Sequence, residues 1–423
     1  MTAIATDPSP DATLALLRDG YGFVSRRCAR LGADAFRTRL MLRPVLCARG
    51  SAAAKAFYTP DRFTRAGGMP AVTMRLLQDR ESVQLLDGPA HRHRKAMFLR
   101  MLHDDAQVAR LSALIREELV AAIPHWTLHQ PVELVAAMAE VLTRAAFRWT
   151  GIPLTDPPRA TRDLTAMIRI AGRFGPRSWR ALKLRDRHER EMQAVIRDIR
   201  SGALGLDQDR PARVVAGHRD LSGEVLSEAA AAVELINLTR PIVAVAWLTG
   251  FAALALAAHP DRRAAFREGD AGIDSFAEEV RRSAPVYPLV GGTAVSDFDW
   301  QGERIESGTW MLLDLYGTTH DPAAFPEPDR FDPDRRLSWC RPSHAFIPQG
   351  AGDLRDTHRC PGERVTVEIL KLAIAFLARD MDWRLRPTGP LPRARFPAIP
   401  RGGVVLEDVW PRRGAGTGSR RFR

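Results

Sequence analysis

Apolar residues recur at helical spacing through most of the chain. Between Asp105 and Ile123 they fall at Leu111, Leu114, Ile115 and Leu119, and residues 132–150 repeat the pattern up to a proline-rich break at 153–158. Further helices are predicted over 160–174 and 186–203, the second so charged that it reads as a solvated face. Residues 27–41 read as a basic helix, followed by short strand-like pieces at 43–48. Alternation of period two is rare. It predicts strands between Gly291 and Ile305 around a turn at Gln301-Gly302, from Thr309 to Leu315, and from Gly403 to Leu406. No internal repeat or long linker divides the chain. The expected fold is mainly α, one large helical domain over residues 1–410 with small β-sheets, then a basic, disordered tail over 411–423.

The longest apolar stretch runs from Leu221 to Ala258, and no charge occurs after Arg240. Its length brushes the roughly 20 residues that a membrane helix needs. Glu234 and Arg240, the many small residues and the missing aromatic flanks instead predict a buried core helix and no membrane span. The N-terminus has an early Asp7 and no long apolar run, unlike a secretory signal.

Composition narrows the class. With 45% hydrophobic and 26% charged residues in 423, the chain is globular and long enough to need no disulfide or metal staple. The net charge is +12, yet only four of the 62 basic residues are lysines (Lys55, Lys95, Lys183, Lys371). The arginines are spread evenly rather than clustered among aromatics, so no nucleic-acid partner is expected. Cys28, Cys47, Cys340 and Cys360 contain no C-x-x-C pair, which argues against a disulfide framework or zinc cluster and fits a cytoplasmic protein.

The sharpest local feature is F-I-P-Q-G-A-G-D-L-R-D-T-H-R-C-P-G-E, Phe346 to Glu363. Pro361 suits the first position of the apolar-periodic helix that follows, which would put Cys360 at a helix N-terminus. Free N–H groups there favour a thiolate, with His358 and Arg359 adding positive charge. Such a sulfur is a nucleophile, a metal ligand or an incidental part of a capping loop.

Together with this loop, three features resemble the cytochrome P-450 family. H-R-C-P-G-E looks like its haem-ligating loop. Glu279 and Arg282 match its E-x-x-R, three residues before Pro285, and P-D-R-F (Pro328 to Phe331) with Arg335 matches its other signature. Glu278 and Arg281 also fit E-x-x-R, but out of step with the proline. The resemblance implies haem b with Cys360 as axial thiolate, and Glu279 and Arg282 bracing the loop beneath it. Thiolate donation favours O–O cleavage.

Two departures resemble the fatty-acid peroxygenase branch. Phe346 stands 14 residues before Cys360, about twice the usual separation in the family. The long helix carries N-L-T-R-P, Asn237 to Pro241, where most members place an acid and a threonine that deliver protons. Pro241 should kink the helix. Arg240 has no acid among its helical neighbours, so an anion must come from elsewhere in the fold or from the substrate. In the branch that anion is the carboxylate of a fatty acid, which acts as general acid–base for hydrogen peroxide and fixes oxidation at the alpha or beta carbon. A medium- to long-chain acid and hydrogen peroxide are thus the implied substrates, with no obligatory redox partner.

The resemblance extends to A-K-A-F-Y-T-P-D-R-F, to V-Q-L-L-D-G-P-A-H-R-H-R-K and to L-L-D-L-Y-G-T-T-H-D-P. It implies haem-propionate contacts for Arg65, His91 and Lys95. Gln84 takes the distal position, where Gln rather than His goes with hydroxylation, leaving decarboxylation to alkenes a minor product. The acyl-channel positions read Gln78, Ala171, Val286 and Leu289, less aromatic than in the branch. Rival readings are a reductase-dependent monooxygenase and a non-catalytic haem-thiolate sensor or carrier.

Overall fold

A computed structural model describes residues 4–79, 81–172, 175–341 and 343–412. Its centre is the helix Glu228–Ala258. This helix is apolar on nearly every face, so it is stable only when surrounded. It packs against the helices Leu134–Thr150, Pro176–Ser201 and Glu363–Arg379. In its most apolar window 67% of the helix is buried within the protein, as a core helix should be. The Ser227 side chain opens it by accepting the Ala230 N–H at 3.0 Å. Pro241 is accommodated inside the helix, which continues for more than four turns beyond it.

The strands, in chain order, are β1 (Ala5–Thr6), β2 (Ala35–Leu40), β3 (Arg43–Ala48), β4 (Phe63–Thr64), β5 (Val132–Glu133) and β6 (Leu289–Ala294). Then come β7 (Phe298–Trp300), β8 (Glu303–Ile305), β9 (Trp310–Asp314), β10 (Met381–Leu385) and β11 (Val405–Pro411). One sheet has the order β1-β2-β3-β9-β6-β4, a second β10-β11-β5, and β7-β8 is a hairpin. Its turn is Gln301-Gly302, with φ of 53° and 80°, the left-handed pair that a two-residue hairpin demands. The larger sheet places Val286 and Tyr287, just before β6, at an edge of the central cavity.

Several boundaries depart from the sequence reading. Residues 27–41 are not one helix. The helix Phe23–Leu31 ends at Gly32, whose φ of 63° is left-handed, and β2 follows. In β2, Phe36, Thr38 and Leu40 are buried while Arg39 is exposed, a period of two that the density of arginines masked. The helix expected over 160–174 is Pro157–Ile170, and residues 173 and 174 lie outside the described residues. The next begins at Pro176, ten residues earlier than expected, and it is not simply a solvated face, since Arg185 and His188 are buried. At the C-terminus β11 passes the expected domain end at residue 410, and the Arg412 N–H bonds to Asp380 O at 3.0 Å. Residues 413–423 of the expected tail lie outside the described residues.

Candidate active site

Cys360 lies in the loop ahead of Glu363–Arg379. That helix starts two residues later than predicted, so Pro361 is outside it and Gly362 is the capping residue. The Gly362 N–H still favours the ionised sulfur, but burial outweighs it and pushes the Cys360 thiol up. The Gln349 side-chain amide reaches the sulfur at 3.7 Å, and the Cys360 N–H donates to Gln349 O at 2.9 Å. The expected help from His358 and Arg359 is absent. Burial pulls His358 down to about 4, which leaves it neutral at pH 7. Arg359 points away, donating to Glu363 at 2.7 Å and to Gly352 O at 3.2 Å. The cation that does favour a Cys360 thiolate is Lys95.

Two arginine–carboxylate clusters brace this loop. Arg282 grips Glu279 with two bonds of 2.7 Å, both side chains fully buried, and Arg335 reaches the same carboxylate at 3.2 Å. The neighbouring pair also closes. Arg281 bonds Glu278 at 2.5 Å, reaches Glu363 and donates to Gln349 Oε1 at 3.1 Å. The second cluster, not the first, touches the cysteine loop directly. Its sequence signal was the out-of-step E-x-x-R, and its role depends on Glu363 and Gln349, both inside the quoted cysteine segment but not singled out as its partners.

Opposite the loop, the central helix presents Asn237, Leu238, Pro241, Ala244 and Val245 to a cavity of about 330 Å³ whose other wall contains Cys360. Gln78, Gln84, Val286 and Leu289 line the same cavity. Ala171 does not; it lines an outer cavity of about 140 Å³. The two share Met69, Thr73, Leu77, Val286, Tyr287 and Leu289, and together form a channel to the surface. Tyr287 and Leu77 were not singled out from the sequence, and nothing in their local pattern marks them.

Arg240 is buried just behind the wall made by Leu77, Gln78 and Asn237. It donates to Leu76 O at 2.9 Å, to Leu77 O, and to Asn237 Oδ1 at 3.3 Å. All three are neutral carbonyls. Among the described residues no carboxylate forms an ion pair with it, and burial lowers its pKa to about 9. Asn237 is itself held in place. Its amide nitrogen donates to Glu234 at 3.1 Å and to Gln84 Oε1 at 3.2 Å, and Glu234 is paired with Arg94 at 3.0 Å.

The residues expected at haem propionates gather on one side. Arg65 and His91 line a small cavity with His358, whose ring lies 4.1 Å from that of His91. Arg65 stacks over Phe57 at 4.1 Å, and its Nη1 is buried without a hydrogen-bond partner. Lys95 lies deeper, donating to Arg359 O at 2.6 Å and to Thr357 O. Burial brings its pKa to about 7 and that of His91 to about 3. The small cavity shares Tyr58 and His358 with the one that contains Cys360, so the unspent Arg65 guanidinium lies next to the larger space rather than in its wall, a place that suits the anionic arms of a haem seated on Cys360.

A model of the family described as cytochrome P-450 matches residues 273–405, the segment holding both clusters and the cysteine loop. Cytochrome P450SP alpha (CYP152B1), solved in complex with (R)-ibuprophen, is 38% identical across 95% of this chain and 99% of that one, with a TM-score of 0.91. The chain belongs to the cytochrome P-450 family. Cytochrome P450EX alpha (CYP152N1), solved with myristic acid, is 32% identical across 97% of this chain and all of that one, with a TM-score of 0.92. The cytochrome P-450 135B1 of Mycobacterium tuberculosis is more distant, 26% identical over 75% of this chain and 71% of its own length. The solved neighbours fall in the fatty-acid peroxygenase branch that the motifs resemble. Membership implies a haem with a cysteine thiolate ligand, for which the geometry offers Cys360.

Proposed function

We propose that this P-450 is a peroxygenase that uses hydrogen peroxide to hydroxylate fatty acids at the alpha or beta carbon. The observation that carries the reading is Arg240, a buried guanidinium beside the cavity with carbonyl acceptors and, among the described residues, no counter-charge. Burying an unpaired charge costs several kcal/mol, so the site favours a ligand that brings an anion. Three of the five N–H donors of Arg240 are spent on carbonyls, both of those on Nη2 among them, so a carboxylate gains a forked grip by displacing the long Asn237 contact. Bound against Cys360, haem supplies the iron at which peroxide is cleaved and a C–H bond oxidised. The carboxylate held by Arg240 takes a proton from peroxide and returns it to the leaving oxygen. The central helix offers no acid at this point, because Glu234 is turned away to Arg94 and Val83 N–H. The grip also fixes the register of the acyl chain, so that the carbons nearest the carboxylate meet the oxidant.

Arg65, His91 and Lys95 are assigned to the haem propionates, and Gln84, hydrogen-bonded to Asn237, to the distal wall. Gln84 supports hydroxylation as the main outcome, with decarboxylation minor. The test is turnover of the haem-loaded protein with hydrogen peroxide and a series of saturated acids, without reductase. Hydroxy acids marked at the alpha or beta carbon are expected. Product that forms only when an electron-donor protein is added would replace this reading with a reductase-dependent monooxygenase.

A further inference from the structure

We propose that the mouth of the acyl channel is a docking surface for an anionic lipid bilayer. β2 and β3 are joined by a two-residue turn, Met41-Leu42, with φ of 52° and 62°. Both central residues of such a turn need positive φ, which is why Asn-Gly is the favoured pair. A Met-Leu pair here is strained, and it is exposed, Met41 at 41% and Leu42 at 80%. The helix Thr13–Asp19 adds Leu14 at 81% and Leu17 at 42%. The two segments are tied together. The Met41 N–H donates to Thr13 Oγ1 at 2.6 Å and the Leu42 N–H to Asp11 Oδ2 at 2.7 Å. Leu17 and Met41 are also wall residues of the outer cavity, so this apolar tip adjoins the outer end of the channel, with Leu14 and Leu42 outside the cavity wall.

The charge around this apolar tip favours a lipid surface over a second copy of the chain. Arg39 and Arg43 flank the turn and are exposed, as is Arg395 beside the outer-cavity wall residue Phe396, whereas Arg18 is paired with Asp19 at 3.0 Å. The Asp11 carboxylate accepts from the Thr13 and Leu42 N–H groups, which keeps it ionised, so it offsets one of these charges and leaves the rim basic. Two copies meeting here would set arginines against arginines. An anionic bilayer accepts both parts of the patch, basic residues at its headgroups and leucines below them. An acyl chain would then pass from the bilayer into the apolar channel without crossing water. This docking is reversible and peripheral, unlike a membrane span.

The test uses the full-length, haem-loaded protein and sucrose-loaded vesicles, either phosphatidylcholine alone or equal parts phosphatidylcholine and phosphatidylglycerol. Sedimentation reads binding without turnover, so its failure is distinct from failure of the proposed reaction. Binding to the mixed vesicles should exceed binding to the neutral ones by at least about tenfold. The double variant Leu14→Gln, Leu42→Gly should lose about tenfold of it, while its turnover of a short, water-soluble acid is unchanged. Glycine relieves the left-handed strain at residue 42, so this variant should fold at least as well as the parent. The proposal is overturned if the parent ignores both vesicles, or if the variant binds them as tightly. It is also overturned if the parent instead self-associates through a contact that the variant abolishes.

Discussion

The two faces of the haem cavity bury arginine in opposite ways. Below the cysteine loop, Arg281 and Arg282 are enclosed by Glu278, Glu279 and Glu363, and every carboxylate is shared with another cation or N–H donor. Above it, Arg240 meets three neutral carbonyls and, among the described residues, no acid. The lower face is a closed set of charges whose work is to hold a loop still. The upper face is left one anion short, and in the proposed function the substrate fills that shortage. Burial of the residue type is alike in the two places; what the neighbours leave unpaired separates a brace from a grip.

The comparison predicts a split between stability and turnover. Arg282→Ala would leave Glu279 buried without its main partner and should cost about 3–5 kcal/mol. Chemical denaturation and haem incorporation would both register the loss, and an unchanged midpoint would break the contrast. Arg240→Ala should do the reverse. Turnover of fatty acids should fall about 100-fold, while stability falls less than at Arg282, because the acceptors left behind are neutral carbonyls and no buried carboxylate is orphaned. A large fall in stability would mean that Arg240 is a brace like the others.

A third prediction concerns pH. Only the protonated guanidinium grips a carboxylate. Burial has pulled the pKa of Arg240 down to about 9, so its charge is present below that value and lost as pH rises through it. The apparent KM for the acid should therefore climb above about pH 9, by about tenfold per unit at the limit. The smallest effect is expected at Gln349, which bridges Arg281 and the Cys360 sulfur. Gln349→Leu removes one N–H aimed at the sulfur, and the haem reduction potential should become more negative with little change in folding. A potential unmoved by this change would show that the contact is only packing.

The sequence made the lower face partly legible and the upper one more so. E-x-x-R at Glu279–Arg282 and the later Arg335 stand at motif spacing, and the structure joins them. Arg281 was discounted because its motif fell out of step with Pro285, yet it makes the direct contact with the loop. Its partners Glu363 and Gln349 are separated from it by 82 and 68 positions, beyond the reach of local pattern. Arg240 was visible as a charge inside an apolar helix. That its partners would be carbonyls of a distant helix end, Leu76 and Leu77, was not. Tyr287 and Leu77 escaped notice because a wall residue is defined by the space beside it, which periodicity does not encode. The strand Ala35–Leu40 was misread for a simpler reason. Arginines at its outward positions obscured an alternation that Phe36, Thr38 and Leu40 plainly follow.

The central claim is that the anion missing at Arg240 is supplied by the substrate. The most direct test compares a saturated long-chain acid with its methyl ester, each incubated with the haem-loaded protein and hydrogen peroxide, with products identified by mass spectrometry. The account predicts alpha- or beta-hydroxylated acid, and no product from the ester, which has no charge to give Arg240 and no group to move the proton. Equal turnover of acid and ester would contradict it.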